Sequence, residues 1–147
     1  MEKISSQIWI LFVIIQCVNG AFWWFRGTAQ RPTQRDSYKK LVIGWLLLGN
    51  IPWLIIGAGA LSSKLPSLDE IFYPSRGNPF VLGFHISTVV LLALCSFWIY
   101  FGKGAQTMVD HPGLLNRPIT EPTHMKMLWS ACLAGAMLGE IFMWISK

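Results

Sequence analysis

Phe80-Val-Leu-Gly-Phe-His-Ile-Ser-Thr-Val-Val-Leu-Leu-Ala-Leu-Cys-Ser-Phe-Trp-Ile-Tyr-Phe101 contains a single acid, base or imidazole group, His85. As an α-helix the stretch is about 33 Å long, and the hydrocarbon layer of a bilayer is about 30 Å thick. Backbone N–H and C=O groups find no water at that depth, so a segment of this kind must satisfy itself as a helix. Three more runs share the character: Ile8 to Phe25, Leu41 to Leu61 and Met127 to Ile145. Across all four, the only acid, base or imidazole groups are His85 and Glu140. Strands of a membrane β-barrel are about half as long and alternate in polarity, which excludes a barrel. The reading is an all-α membrane protein of one domain, residues 1–147.

The rest of the chain supports that division. Hydrophobic residues make up 53% and charged residues 13%, far from the balance of a water-soluble domain. Loop one, residues 26–40, and loop three, residues 102–126, carry eight cations: Arg26, Arg31, Arg35, Lys39, Lys40, Lys103, Arg117 and Lys126. The other side carries four, Lys3, Lys64, Arg76 and Lys147. The positive-inside bias places loops one and three in the cytoplasm and both termini, with loop 62–79, outside a plasma or inner membrane. Short connections favour antiparallel neighbours, so an up-down-up-down four-helix bundle is expected. Most tryptophans fall near span ends, where an indole keeps its N–H wet; Trp53 alone sits deep. The net charge of +5 is absorbed by topology and lipid headgroups, and no nucleic-acid partner is expected.

The first twenty residues also fit a cleavable leader, with Lys3, an apolar run and small residues at Val18, Gly20 and Ala21. The run continues through Phe25, as a spanning helix would, so an intact N-terminus is expected. Cys17, Cys95 and Cys132 all lie within spans without a C-x-x-C pair, and read as ordinary buried thiols.

Five features inside the spans carry chemistry. Glu140 is the most informative, since a carboxylate there costs about 2.5 to 3.5 kcal/mol on insertion scales and is seldom kept without a partner. His85 and Glu140 each lie five residues inside the outer end of their spans, at about 8 Å depth, so they can meet as an interhelical clamp or a proton-handling pair, or Glu140 can reach up to the outer headgroups. In Gly49-Asn50-Ile51-Pro52-Trp53, Pro52 cannot donate to Leu48, and a kink in the second helix is expected there. The freed carbonyls and the Asn50 amide are what discontinuous transporter helices use to hold cations or polar substrates, though such kinks are also common and repaired by neighbours. Gln16 and Asn19 share a face of the first span and can hydrogen-bond across to a neighbour such as Asn50. Ala131, Gly135 and Gly139 form a small-residue stripe suited to close helix approach, within the bundle or in a dimer.

In loop three, Asp110, His111, Glu121 and His124 are the residue types that ligate metals, but a single Glu121–His124 pair beside Pro122 is a weak signal. One imidazole in the spans is too few for bis-histidine haem, and no cofactor is expected. Nucleophile, metal and cysteine signatures of an enzyme are lacking. The expectation is a non-catalytic subunit, assembly or partner-binding component, with the bilayer and either other membrane subunits or its own copies as partners. The alternative is a small proton- or ion-coupled transporter or channel, working as a homo-oligomer with Glu140 as the titrating group.

Overall fold

The computed structural model describes residues 7–115 and 119–145, and its regular structure there is all helical. The helices are α1 (Ile8–Gln30), α2 (Arg35–Gly49), α3 (Ile51–Leu61), α4 (Pro79–Tyr100), α5 (Gly104–Asp110) and α6 (Pro122–Ile145). Short 3-10 turns occupy Pro32–Gln34, Leu68–Phe72 and Pro74–Arg76. Four helical segments are long and apolar enough to cross a bilayer: Ile8–Gln30, Pro32–Leu61, Pro79–Tyr100 and Pro122–Ile145. By length and composition these four helices are compatible with a multi-pass membrane protein.

Each segment runs past the apolar stretch that defines it, because polar flanks continue a helix into water. Thus α1 ends at Gln30, beyond Phe25, and α6 begins at Pro122, ahead of Met127. At the start of α4, Asn78 Oδ1 accepts from the Phe80 N–H at 3.0 Å and Pro79 occupies a position whose N–H is not needed. The Asn78 amide also donates to the Lys64 carbonyl at 3.0 Å and to Glu70 Oε2 at 2.9 Å, which folds the 62–78 loop back on itself.

The second spanning segment is interrupted at Asn50, between α2 and α3. Pro52 withholds the N–H that the Leu48 carbonyl would take, and that carbonyl faces the Asn50 N–H instead. The Leu46 carbonyl is then supplied by the Asn50 side chain, whose Nδ2 donates to it at 2.7 Å. Helical bonding resumes with the Leu54 N–H on the Asn50 carbonyl at 2.9 Å.

Glycines set how closely these helices approach. A Cβ on Gly57 would stand 2.7 Å from the Trp9 ring, one on Gly59 2.7 Å from the Phe80 ring, and one on Gly20 3.0 Å from Leu46. Accordingly α1 packs on α2 and α3, α3 on α4, and α6 on α4, α5 and the Pro74–Arg76 turn. Burial concentrates in two clusters: Ile56, Leu65, Ile71 and Val81, and Ile99, Ala105 and Met125. Outside them the long helices present Leu, Ile and Phe side chains outward. In water so continuous an apolar surface drives association; in a bilayer it is the surface lipid contacts.

Candidate functional site

His85 and Glu140, the imidazole and the carboxylic acid inside the apolar runs, are both buried, 1% and 7% exposed. They meet across α4 and α6 with Nδ1 2.7 Å from Glu140 Oε2. The other ring nitrogen, Nε2, lies 2.8 Å from the carbonyl oxygen of Ile71. A carbonyl only accepts, so Nε2 carries a hydrogen, and Nδ1 and Oε2 hold one further proton between them. With that proton on nitrogen the pair is imidazolium and carboxylate; with it on oxygen it is imidazole and a carboxylic acid. Both forms keep every hydrogen bond, so a proton can move between the two atoms without rearrangement of the chain.

Local sequence explains the third member. Ser67 Oγ accepts from the Asp69 N–H at 3.2 Å and starts the Leu68–Phe72 turn, whose 3-10 geometry leaves the Ile71 carbonyl for His85. Around the pair runs a row of rings from all four spanning segments. Phe12 stacks on Trp53 at 3.9 Å and 3°, Trp53 meets Phe84 edge-on at 5.2 Å, Phe84 meets His85 at 5.3 Å, and His85 faces Trp144 at 6.3 Å. The rings exclude water from the imidazole and fix its orientation. The arrangement can clamp α6 to α4 and can shift one proton.

The remaining polar residues of the spans lie apart from this site. Gln16 Oε1 accepts from Trp45 Nε1 at 3.0 Å rather than meeting Asn50, whose amide is drawn to Leu46 by the break at Pro52. Asn50 Oδ1 is buried and has no hydrogen-bond partner, and Pro52 is buried beside it. Asn19 is exposed and hydrogen-bonds to none of the described residues. Ala131, Gly135 and Gly139 are exposed, and a Cβ on either glycine would meet nothing within 4 Å. The stripe therefore faces away from the rest of the chain. The thiols differ from expectation too: Cys17 and Cys132 are exposed on helix faces and Cys95 is half-buried, because α1 and α6 bury only a narrow strip.

The four residues considered for metal are not brought to one point. Asp110 Oδ1 accepts from Gln106 Nε2 at 2.8 Å, and Glu121 and His124 are exposed, 3.9 Å apart. His111 is buried with both nitrogens engaged: Nδ1 donates to the Thr107 carbonyl at 2.7 Å and Nε2 is 2.6 Å from Ser37 Oγ. Among the described residues no group of three His, Cys, Asp or Glu side chains could hold an ion.

Sequence reasoning missed the tie that His111 makes. Tyr38, fully buried, donates its hydroxyl to the Pro112 carbonyl and lies edge-on to the His111 ring at 4.9 Å. Gly27 supplies the room, since a Cβ there would be 2.2 Å from the Tyr38 ring. Loop three is thereby fastened to α1 and α2. A tyrosine placed between charged residues gave no sign of this; the one hint was a Gly-Pro-rich turn at His111-Pro112-Gly113. No protein-family model, curated protein or solved structure matches this chain.

Proposed function

We propose that this protein is a non-catalytic component of a membrane complex, which crosses the bilayer four times in an up-down-up-down array kinked at Pro52. Both termini lie outside, and α6 is the helix offered to a neighbour. The observation that carries this reading is the empty space beside Gly135 and Gly139. A glycine within a helix is less favourable than alanine by about 0.5–1 kcal/mol, and two of them on an unpacked face gain nothing inside the chain. They gain close backbone contact when another transmembrane helix lies in the Ala131–Gly135–Gly139 stripe. The His85–Glu140 clamp holds α6 at one rotation, so the stripe points consistently away from α4.

The test is purification in mild detergent, with wild type and Gly135→Leu compared. A Cβ at this position meets nothing within 4 Å, so the variant should remain folded and lose a co-purifying membrane subunit or its own second copy. A wild-type protein that stays a lone monomer in native lipid would overturn the proposal, as would a partner retained by Gly135→Leu.

A second reading is favoured by the proton shared between His85 Nδ1 and Glu140 Oε2: proton- or ion-coupled transport by a homo-oligomer. In liposomes loaded with a pH-sensitive dye, it requires wild-type flux that Glu140→Gln abolishes. Its absence under every imposed gradient would leave the first reading standing.

A further inference from the structure

Between α1 and α2 lies a groove of ≈ 530 Å³, open along its side. Its lining is apolar below the charges, with Cys17 and Gly20 of α1, Val42 and Leu46 of α2, and the outward-lying Ile43. The two helices close it from below where Leu46 sits against Gly20. Its mouth is charged: Arg35, Asp36 and Lys39 stand there, with Trp24 opposite. The Arg35 guanidinium lies over the Trp24 ring, 5.6 Å from its centroid.

We infer that this groove holds one phospholipid, with an acyl chain along Leu46, Val42 and Gly20 and the headgroup phosphate on Arg35 and Lys39. Three features point to this occupant. Below the cations, from Lys39 to Leu46, the groove runs about 10 Å along the helix, so it takes the upper part of an acyl chain in a leaflet whose hydrocarbon is about 15 Å thick. The apolar part lies at acyl-chain depth, while the cations and the indole lie at headgroup level. Arg35 and Lys39 are one helical turn apart on the same face, and neither makes a salt bridge with any described residue. Two cations one turn apart suit a phosphate, which arginine binds through a planar fork and lysine as a point charge.

Asp36 narrows the headgroup. It shares the mouth and likewise makes no salt bridge with the described residues. A site of two cations and one carboxylate complements a headgroup of one phosphate and one primary ammonium, the chemistry of phosphatidylethanolamine. Choline offers no N–H to the carboxylate, and glycerol offers no positive charge.

The experiment is native mass spectrometry of the full chain released from nanodiscs with equal parts phosphatidylethanolamine, phosphatidylcholine and phosphatidylglycerol. One phosphatidylethanolamine should be retained per chain. Arg35→Gln with Lys39→Gln should lower retention about tenfold or more. Asp36→Asn should keep a bound lipid but lose a roughly tenfold preference for ethanolamine over choline. Ile43→Trp, at an outward position, fills the groove without changing any charge and should also release the lipid. Monodisperse elution in detergent and an unchanged helical spectrum confirm that each variant is folded; a variant failing this is replaced by Arg35→Lys or Ile43→Phe. Equal retention by Ile43→Trp and wild type would show that the basic surface alone attracts lipid, and would overturn the groove. Preferential retention of phosphatidylglycerol would overturn the headgroup assignment, and displacement by free phosphoethanolamine alone would overturn the acyl-chain assignment.

Discussion

Replacing both members of the buried pair should be milder than replacing either one. In Glu140→Leu, His85 stays 1% exposed with Nε2 on the Ile71 carbonyl, and Nδ1 loses its only partner. A buried polar atom left unsatisfied costs about 1–3 kcal/mol. In His85→Leu the carboxyl group is stranded in a 7% exposed position and the Ile71 carbonyl loses its donor as well. Breaking a buried pair from one side costs about 3–5 kcal/mol. The double replacement by leucine strands only the Ile71 carbonyl and refills the space with apolar volume, a change expected to lie within about 1–2 kcal/mol of wild type. The sum of the single losses, about 4–8 kcal/mol, therefore exceeds the double loss by about 2 kcal/mol or more, roughly thirtyfold in equilibrium constant. Glu140→Gln preserves a donor to Nδ1 and should fall within about 1 kcal/mol of wild type. Reversible unfolding in bicelles, followed by steric trapping, measures all four variants. Additive single losses, with a coupling under about 0.5 kcal/mol, would refute the clamp.

Gly57→Val should lower stability by about 1–3 kcal/mol in the same unfolding assay, because the Cβ alone would stand 2.7 Å from the Trp9 ring. Tyr38→Phe removes the hydroxyl donor to Pro112, leaves that carbonyl unsatisfied, and should cost about 1 kcal/mol while speeding hydrogen exchange in residues 111–115. Cys17 and Cys132 should react with N-ethylmaleimide in detergent faster than half-buried Cys95, as read by mass spectrometry over time; equal rates would contradict the outward placement of the first two. Asn19→Leu should leave the isolated chain as stable as wild type or more so, since Asn19 has no internal partner, and should weaken assembly in the co-purification assay.

Depth was readable from the sequence, and rotation was not. Counting residues along uncharged runs locates each crossing, because the hydrocarbon thickness fixes how many apolar residues a helix must supply. The same count places His85 and Glu140 at matching depth, which allows their contact without requiring it. Which way a helix turns its faces depends on its neighbours. Ala131, Gly135 and Gly139 looked equally suited to packing inside the chain or outside it, and the outcome rests on α6 being turned so that Glu140 reaches α4. Asn50 was expected to look across to α1, but the proline two residues on left a carbonyl short of a donor and drew the amide back along its own helix. The Ile71 carbonyl was beyond reach altogether, since main-chain acceptors carry no signature in the residue alphabet; only the capping Ser67 hinted that a turn begins there.

The unmet polar groups then say more than the satisfied ones. His85, Glu140, Gln16 and Trp45 all find partners within the chain. Asn19 finds none among the described residues, although it stands midway along Ile8–Gln30, where an unpaired carboxamide loses several kcal/mol of hydrogen bonding with nothing in the lipid to replace it. The glycines of α6 face open space in the same manner. A carboxamide is most easily relieved by another transmembrane helix, and small residues are the surface against which such a helix fits best. Helices α1 and α6 bury little of themselves elsewhere, and each carries one feature that is unfavourable in lipid and favourable against a neighbour. On the proposed reading a second membrane chain would relieve both features, which lipid contact leaves unmet.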